Sequence, residues 1–204
     1  MLPTMAVLDP IVARARTGDR DAIDELFRRH REDVTRIAYR FIGPSGDLED
    51  VVQEAFIQLF RSLPAFEGKS KFSTWMYRVV SNVAKMYVRA ARARPMLAAS
   101  EGQQEPREIS PNEWPDEVAD RHKRLEALYR QLENLSEKKR TVLILHDFEG
   151  LSPREIAEIV EAPALTVRTR LFYARKEIYA ALANEPTFEE LRDAFPGTNQ
   201  ETSR

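Results

Sequence analysis

"SPREIAEIVEAPALTVRTRLFYARKEI", residues 152–178, carries both ends of a short helix and the start of a longer one. Ser152 stands at a capping position, Pro153 at the first helical position, and Glu155 three residues after the serine. That pattern lets a hydroxyl and a carboxylate satisfy backbone N–H groups that the first turn leaves open. Ile156, Ala157, Ile159 and Val160 supply apolar spacing, and "EAPA" (161–164) breaks it. A second helix follows, with Val167, Leu171, Ala174, Ile178 and Leu182 on one side. A short helix, a tight break and a longer helix with cations on its outer side form a helix-turn-helix pattern. A helical hairpin with a solvated basic face fits the same spacing. On the DNA-reading alternative, Thr166, Arg168, Thr169, Arg170, Phe172, Tyr173, Arg175 and Lys176 face the groove, the Thr166 end first. Arginine can then fork onto guanine, and lysine and threonine can hold phosphates. Glu161 occupies a turn position where many such motifs carry glycine.

Working outward, Leu125, Leu128, Leu132 and Leu135 line one helix. Ser136 is placed to cap the next, with Val142, Leu143, Leu145 and Phe148 inside and Gly150 at its end. Upstream the composition changes. Residues 95–120 hold four prolines and seven acids (Glu101, Glu105, Glu108, Glu113, Asp116, Glu117 and Asp120) against the single base Arg107, without helical periodicity. Such a segment is expected to be a flexible acidic linker.

Before the linker, residues 6–16 read as a short helix stopped by Gly18, and Asp19 or Asp21 can cap the next. That helix carries Ile23, Leu26, Phe27, Val34, Ile37, Ala38 and Phe41 and ends at Gly43-Pro44. Asp47 begins a third, with Leu48, Val51, Val52, Ala55, Phe56, Leu59 and Phe60 as its stripe and Pro64 at its end. Ser73 or Thr74 can cap a fourth, in which Trp75, Met76, Val79, Val80, Val83 and Tyr87 are expected to face inward. Arg78, Ser81, Asn82, Lys85, Arg89 and Arg92 are expected elsewhere around it.

The segment 69–94 contains seven Lys and Arg and no acid, in a chain of 204 residues with formal charge −2. Either its charge is plain solvation or it is a second nucleic-acid surface. Lys69, Ser70, Lys71, Phe72, Arg78, Asn82, Lys85 and Arg89 would then grip phosphates and hold unstacked bases. Asn82 can both donate to and accept from a base edge.

Several function classes recede. There is no cysteine, which removes disulfides and thiolate chemistry. His30, His122 and His146 lack metal-ligand spacing, and no glycine-rich phosphate loop or serine elbow appears. No catalytic residue, metal site, cofactor or small-molecule substrate is expected. The N-terminus shows no signal-peptide pattern, and no run reaches the ~20 apolar residues of a membrane span. A cytoplasmic protein without membrane insertion is expected.

Three stretches in order, "DLEDVVQEAFIQLF", "FEGKSKFSTWMYRVVSNVAKMYVRA" and "LSEKKRTVLILHDFEGLSPREIAEIVEAPALTVRTRLFYARKEI", resemble bacterial sigma factors of the extracytoplasmic-function (ECF, group IV) branch of the sigma-70 family. The likeness spans roughly residues 10–183. It implies an all-α chain of two small helical bundles. Residues 6–94 look like the sigma-2 domain, which binds core RNA polymerase and opens the −10 element. Residues 121–183 look like the sigma-4 helix-turn-helix domain, which reads the −35 element as duplex. The flexible linker 95–120 joins them, and a tail, 184–204, follows, with room for further turns around Phe188, Leu191 and Phe195.

The resemblance also implies partners. Asp50, Gln53 and Glu54 match the helix that docks on the polymerase β′ coiled coil, the sigma-4 domain sits on the β flap, and an anti-sigma factor is implied. Loop 68–72 and Asn82 match the place where the family holds a flipped non-template base. Arg168, Thr169, Phe172 and Arg175 match the −35 reading helix. By residue chemistry alone, Asp50, Gln53 and Glu54 read rather as an ordinary solvated acidic face, and the resemblance reverses that preference. A helix-turn-helix regulator acting without polymerase and a helical protein-binding adaptor remain the other readings.

Overall fold

The computed structural model describes residues 9–44, 47–93 and 115–189. Among them the regular structure is helical: α1 (Pro10–Arg16), α2 (Arg20–Ile42), α3 (Leu48–Ser62), α4 (Phe72–Ala93), α5 (Pro115–Asn134), α6 (Glu137–Leu143), α7 (Pro153–Ile159) and α8 (Ala164–Ala183). Contacts divide them into two compact units, one built on α1–α4 and one on α5, α6 and α8, with residues 154–162 grouped in the first.

In the first unit, local signals fix where each helix begins and ends. Asp19 caps α2: its Oδ1 accepts from the Ala22 N–H at 3.1 Å, and its Oδ2 accepts from Arg14 Nε at 2.8 Å. The Ala22 hydrogen bond, followed by the Arg14 one, holds the carboxyl below its ordinary value. At the other end Gly43 takes φ 76°, a region costly for other residues, and its N–H closes on the Tyr39 carbonyl. Asp47 occupies the N-cap position of α3 without a side-chain capping bond. Leu63–Ala65 form a 3-10 turn through Pro64 beyond its end.

The apolar stripes then close on one another. Helix α2 packs on α1, α3 and α4, and α3 packs on α4. Leu26, Val34, Ile37, Ala38, Val51, Ala55, Leu59, Met76, Val80 and Ala84 are almost wholly removed from water. Each of the larger side chains contributes about 1.5–3 kcal/mol by that burial.

Four expectations for this unit need correction. Helix α4 begins at Phe72, so Ser73 and Thr74 lie within its first turn rather than capping it. The Phe72 ring packs in an aromatic cluster that anchors that turn, and the Trp75 N–H already bonds the Lys71 carbonyl. Ser81 is turned inward, its hydroxyl satisfied by the Arg78 carbonyl at 3.1 Å. Phe60 is 54% exposed despite its place in the α3 stripe. Tyr87 is only half-buried, at the rim of a groove described below.

The second unit is built around α8. Val167, Leu171, Ala174, Ile178 and Leu182 are all buried, as their spacing predicts. Helix α8 packs on α5 and α6. The second half of α6 and the start of the following turn, Arg140 to Leu145, are buried at every position, while Glu137 and Lys138 are exposed. The helix continues into a π-turn, Ile144–Phe148, in which the Glu149 N–H reaches back to the Ile144 carbonyl. This widened turn shifts the phase of the residues that follow. Ile144 goes fully inside, whereas Phe148 is half-buried. On α5, Ala127, Tyr129 and Leu132 are buried, while Leu125 and Leu128 are half-buried.

Helix α5 starts at Pro115, inside the segment expected to be linker. A proline at the first helical position, followed by Asp116 and Glu117, is itself a helix-start signal. Residues 95–114 lie outside the described residues. After α8, Glu185 accepts from Gln131 Nε2 at 2.9 Å and Arg130 Nη1 at 3.4 Å, which ties this segment to α5. A 3-10 turn at 186–189 then buries Phe188. Leu191 and Phe195 lie outside the described residues.

Candidate nucleic-acid interface

The basic segment of the first unit is a loop and a helix laid over aromatic rings. Phe66, Phe72 and Trp75 form a closed set, with ring centroids 5.1–5.9 Å apart, and the His30 ring from α2 lies tilted at 5.2 Å from Phe72. Phe66 and Trp75 are buried and Phe72 is half-buried, so the cluster holds the start of α4 firmly under the loop. His30 continues into a polar chain. Its Nδ1 lies 3.3 Å from Asp33 Oδ2, and Arg36 Nη2 donates to Asp33 Oδ1 at 2.8 Å. Burial works against the Asp33 charge, but hydrogen bonds from Arg36 and His30 outweigh it and keep the carboxyl below its ordinary value.

Above the rings, Lys69 and Lys71 are exposed and Ser70 is half-exposed. Lys69 pairs with Glu67, whose carboxyl is held below its ordinary value first by that hydrogen bond. The sequence reading missed Glu67, although it stands two residues away. It tempers the loop's charge and fixes one cation.

Along α4, Asn82 and Arg89 are exposed, and Arg78 and Lys85 are half-exposed. Asn82 also lines a groove of about 560 Å³ between α3 and α4. Val51, Glu54 and Gln58 form one wall; Val79, Val83, Met86 and Tyr87 form the other. Met86 is 63% exposed there. The groove thus brings Asn82 and Glu54 to one opening, a juxtaposition not evident from residues 28 positions apart. Asp50, Gln53 and Glu54 are all exposed on α3. Glu54 Oε1 accepts from Gln58 Nε2 at 2.7 Å, one helical turn away.

The second surface is the outer side of α8. The turn before it contains Glu161 at φ +49°, the one non-glycine with positive φ among the described residues. The backbone therefore adopts the conformation for which glycine is the usual choice, with glutamate in its place. On α8, Arg168, Thr169 and Lys176 are exposed, and Thr166 and Arg170 are half-exposed. Thr169 Oγ1 donates back to the Leu165 carbonyl at 3.0 Å. Phe172 and Tyr173 are 66% and 50% exposed and meet edge to face.

Arg175 behaves differently from its neighbours. Its Nε donates to Asp147 Oδ2 at 3.0 Å and its Nη2 donates to Asp147 Oδ1, a two-pronged pair. The Asp147 hydrogen bond raises the affinity of Arg175 for its proton still further. Nearby, Lys139 of α6 pairs with Glu177 of α8. The sequence reading did not single out Asp147, because its partner lies 28 residues away and the π-turn sets its direction.

Among the described residues, no group of three His, Asp or Glu side chains gathers as a metal would require. Nor is any helix there long and apolar enough to cross a membrane.

Comparison with known proteins converges on one family. Residues 26–94 match the family described as Sigma-70 region 2, and residues 125–178 match Sigma-70, region 4. The chain is 36% identical over 173 residues to the ECF RNA polymerase sigma-E factor of Escherichia coli K12, covering 82% of this chain and 90% of that protein. It is 34% identical over 177 residues to the RNA polymerase sigma-H factor of Pseudomonas aeruginosa, covering 84% and 92%. Among solved structures it resembles CnrH, determined in complex with the cytosolic domain of CnrY. The TM-score is 0.60 at 25% identity, covering 86% of this chain and 96% of that one.

Proposed function

The chain belongs to the extracytoplasmic-function sigma factors of the sigma-70 family, and from that premise we propose how its two surfaces divide the work of promoter recognition. As a sigma factor it binds core RNA polymerase, directs it to specific promoters and opens the −10 region to start transcription. The observation that carries this reading is the order of matches: region 2 coincides with the basic loop, α4 and most of α2 and α3, and region 4 with α5–α8.

In this proposal, residues 6–94 act as the sigma-2-like part and 121–183 as the sigma-4-like part, with 95–120 between them and 184–204 as a tail. Lys69, Ser70, Lys71, Arg78, Lys85 and Arg89 hold the backbone of the −10 element, and Asn82 takes a base edge. The Phe72 ring, half-buried in its cluster, serves chiefly as the floor beneath the loop. Because that surface combines cations with an apolar opening, it suits a strand whose bases have left the stack. Thr166, Arg168, Thr169, Arg170, Phe172, Tyr173, Arg175 and Lys176 meet the −35 duplex, where arginine forks read guanine and apolar side chains meet thymine methyls.

Asp50, Gln53 and Glu54 offer acceptors to a basic surface of the polymerase, the β′ coiled coil, while the C-terminal part meets the β flap. CnrH, a structural relative, was solved bound to the cytosolic domain of CnrY. An inhibitory anti-sigma partner is proposed here on that likeness. The protein acts in the bacterial cytoplasm, without catalytic residues, cofactor or small-molecule substrate of its own.

The test is reconstitution. Core RNA polymerase, this chain, promoter DNA and nucleotides should give promoter-specific transcripts. Operator binding without core enzyme, and no transcripts with it, would instead identify a free-standing helix-turn-helix regulator.

A further inference from the structure

An arginine can read guanine by two different edges of its fork. One edge is Nε with Nη2; the other is the end of the group, Nη1 with Nη2. Asp147 occupies the first edge of Arg175 with both carboxylate oxygens. One N–H on Nη1 and one on Nη2 still point outward from the end. A side chain with four rotatable torsions is thereby held in one orientation, so less entropy remains to be lost when it meets a ligand.

The position of Arg175 agrees with such a role. Arg168, Phe172 and Arg175 are spaced by four and three residues, so they share one stripe of α8. Arg168 and Phe172 are exposed on that stripe, and the Arg175 side chain keeps 40% of its surface in water despite its partner. Asp147 is delivered by the π-turn that follows α6, a widened turn of the kind often found at functional sites. An ordinary surface ion pair needs no such turn and gains little from it.

We propose that Asp147 is a specificity-setting positioning residue: it clamps one edge of Arg175 so that the other edge reads a guanine of the −35 duplex. This rests on the assignment of α8 as the −35 reading helix. Asp147 itself touches no base. Its charge is neutralised by Arg175, and the same pairing keeps a carboxylate beside the DNA from repelling phosphate.

The experiment uses the full chain with core polymerase on a promoter library randomised through the −35 element, with transcripts sequenced. Asp147→Asn and Asp147→Ala should lower the preference at a single G·C pair by about ten-fold, the size expected for losing one ordered fork. Arg175→Ala should act on that same pair, and Asp147→Glu should restore part of it. The double variant Asp147→Ala/Arg175→Ala should bind promoter DNA better than Arg175→Ala alone, because the unpaired carboxylate is gone.

Three outcomes overturn the proposal: uniform loss across the library, a fall in thermal stability with the base preference intact, or different pairs affected by the two residues. Arg168→Ala is the control. If it shifts the preference while Asp147 and Arg175 variants do not, the clamp is wrong and the reading helix stands. If none of the three alters −35 preference, the helix assignment itself fails.

Discussion

The groove beside α4 is lined by Val79, Val83, Met86 and Tyr87 with Asn82 among them, whereas on α8 Arg175 is pinned by Asp147 and its neighbour Glu177 ties the helix to Lys139. On the proposed assignment of the two surfaces, these are solutions to different recognition problems. A duplex presents fixed donors and acceptors in a groove, so a reading side chain gains from being fixed in advance. A melted strand is flexible and presents ring faces, so it calls for apolar and aromatic surface with positive charge along the edge. The first surface has Met86 and Tyr87 at the groove, with Asn82 among them and the Phe66–Phe72–Trp75 cluster under the neighbouring loop.

The contrast breaks most severely if the two units are not separate folding bodies. Leu26 and Leu145 are each fully buried, one in each unit. Leu26→Ala and Leu145→Ala should each cost about 2–5 kcal/mol. Hydrogen exchange resolved by helix should show Leu26→Ala loosening α2–α4 and sparing α5, α6 and α8, with the reverse for Leu145→Ala. Loss of protection throughout from either change would make the chain one cooperative body.

A smaller effect sharpens the role of α3. Glu54→Lys reverses a charge at the mouth of the groove, and should weaken core polymerase binding about ten-fold. Fluorescence anisotropy against core enzyme would measure it, with the deficit shrinking in high salt. Unchanged affinity would return Asp50, Gln53 and Glu54 to an ordinary solvated face.

Acid should weaken the first unit through Asp33. Asp33 has a folded value below its unfolded one, so it contributes stability above the unfolded value, near 3.8, that is lost as pH falls through the folded value. Asp33→Asn should therefore lower the stability of the first unit at neutral pH and flatten its decline below about pH 4. Urea titrations at several pH values, read by exchange in α2, would show whether the slope changes.

The smallest expected effect lies in the turn before α8. Glu161→Gly removes the penalty of a left-handed residue and should change stability by under about 1 kcal/mol, offset by the greater freedom of glycine when unfolded and by loss of the exposed pair that Glu161 makes with Arg78. A urea midpoint that falls by more than this would mean the glutamate side chain stabilises the turn more than its backbone strains it.

Much of the fold is legible in the sequence because the signals are local. Asp19, Gly43, the Pro64 stop and the stripe from Val167 to Leu182 each follow from spacing and caps within a few residues. Glu161 stands out for the same reason, and its positive φ shows why glycine would be favoured there. What escapes depends on groups far apart in the chain. Phe60 belongs to the α3 stripe by spacing but stays exposed, and Tyr87 borders a groove that no single-helix pattern reveals. Asp147 cannot be assigned to Arg175 without the π-turn, since regular helical phase gives it a different direction. Pro115 counts, among the linker's other prolines, toward a flexible segment, although at a first helical position it is a helix starter.

The division between a strand-holding surface and a duplex-reading surface is tested most directly by crossing two variants with two probes. Holoenzymes carrying Asn82→Ala or Arg168→Ala would be titrated against a single-stranded non-template −10 oligonucleotide and against a double-stranded −35 fragment. Each variant should lose about ten-fold on its own probe and nothing measurable on the other, with core binding unchanged. Equal losses on both probes, or a loss of core affinity that accounts for them, would contradict that division.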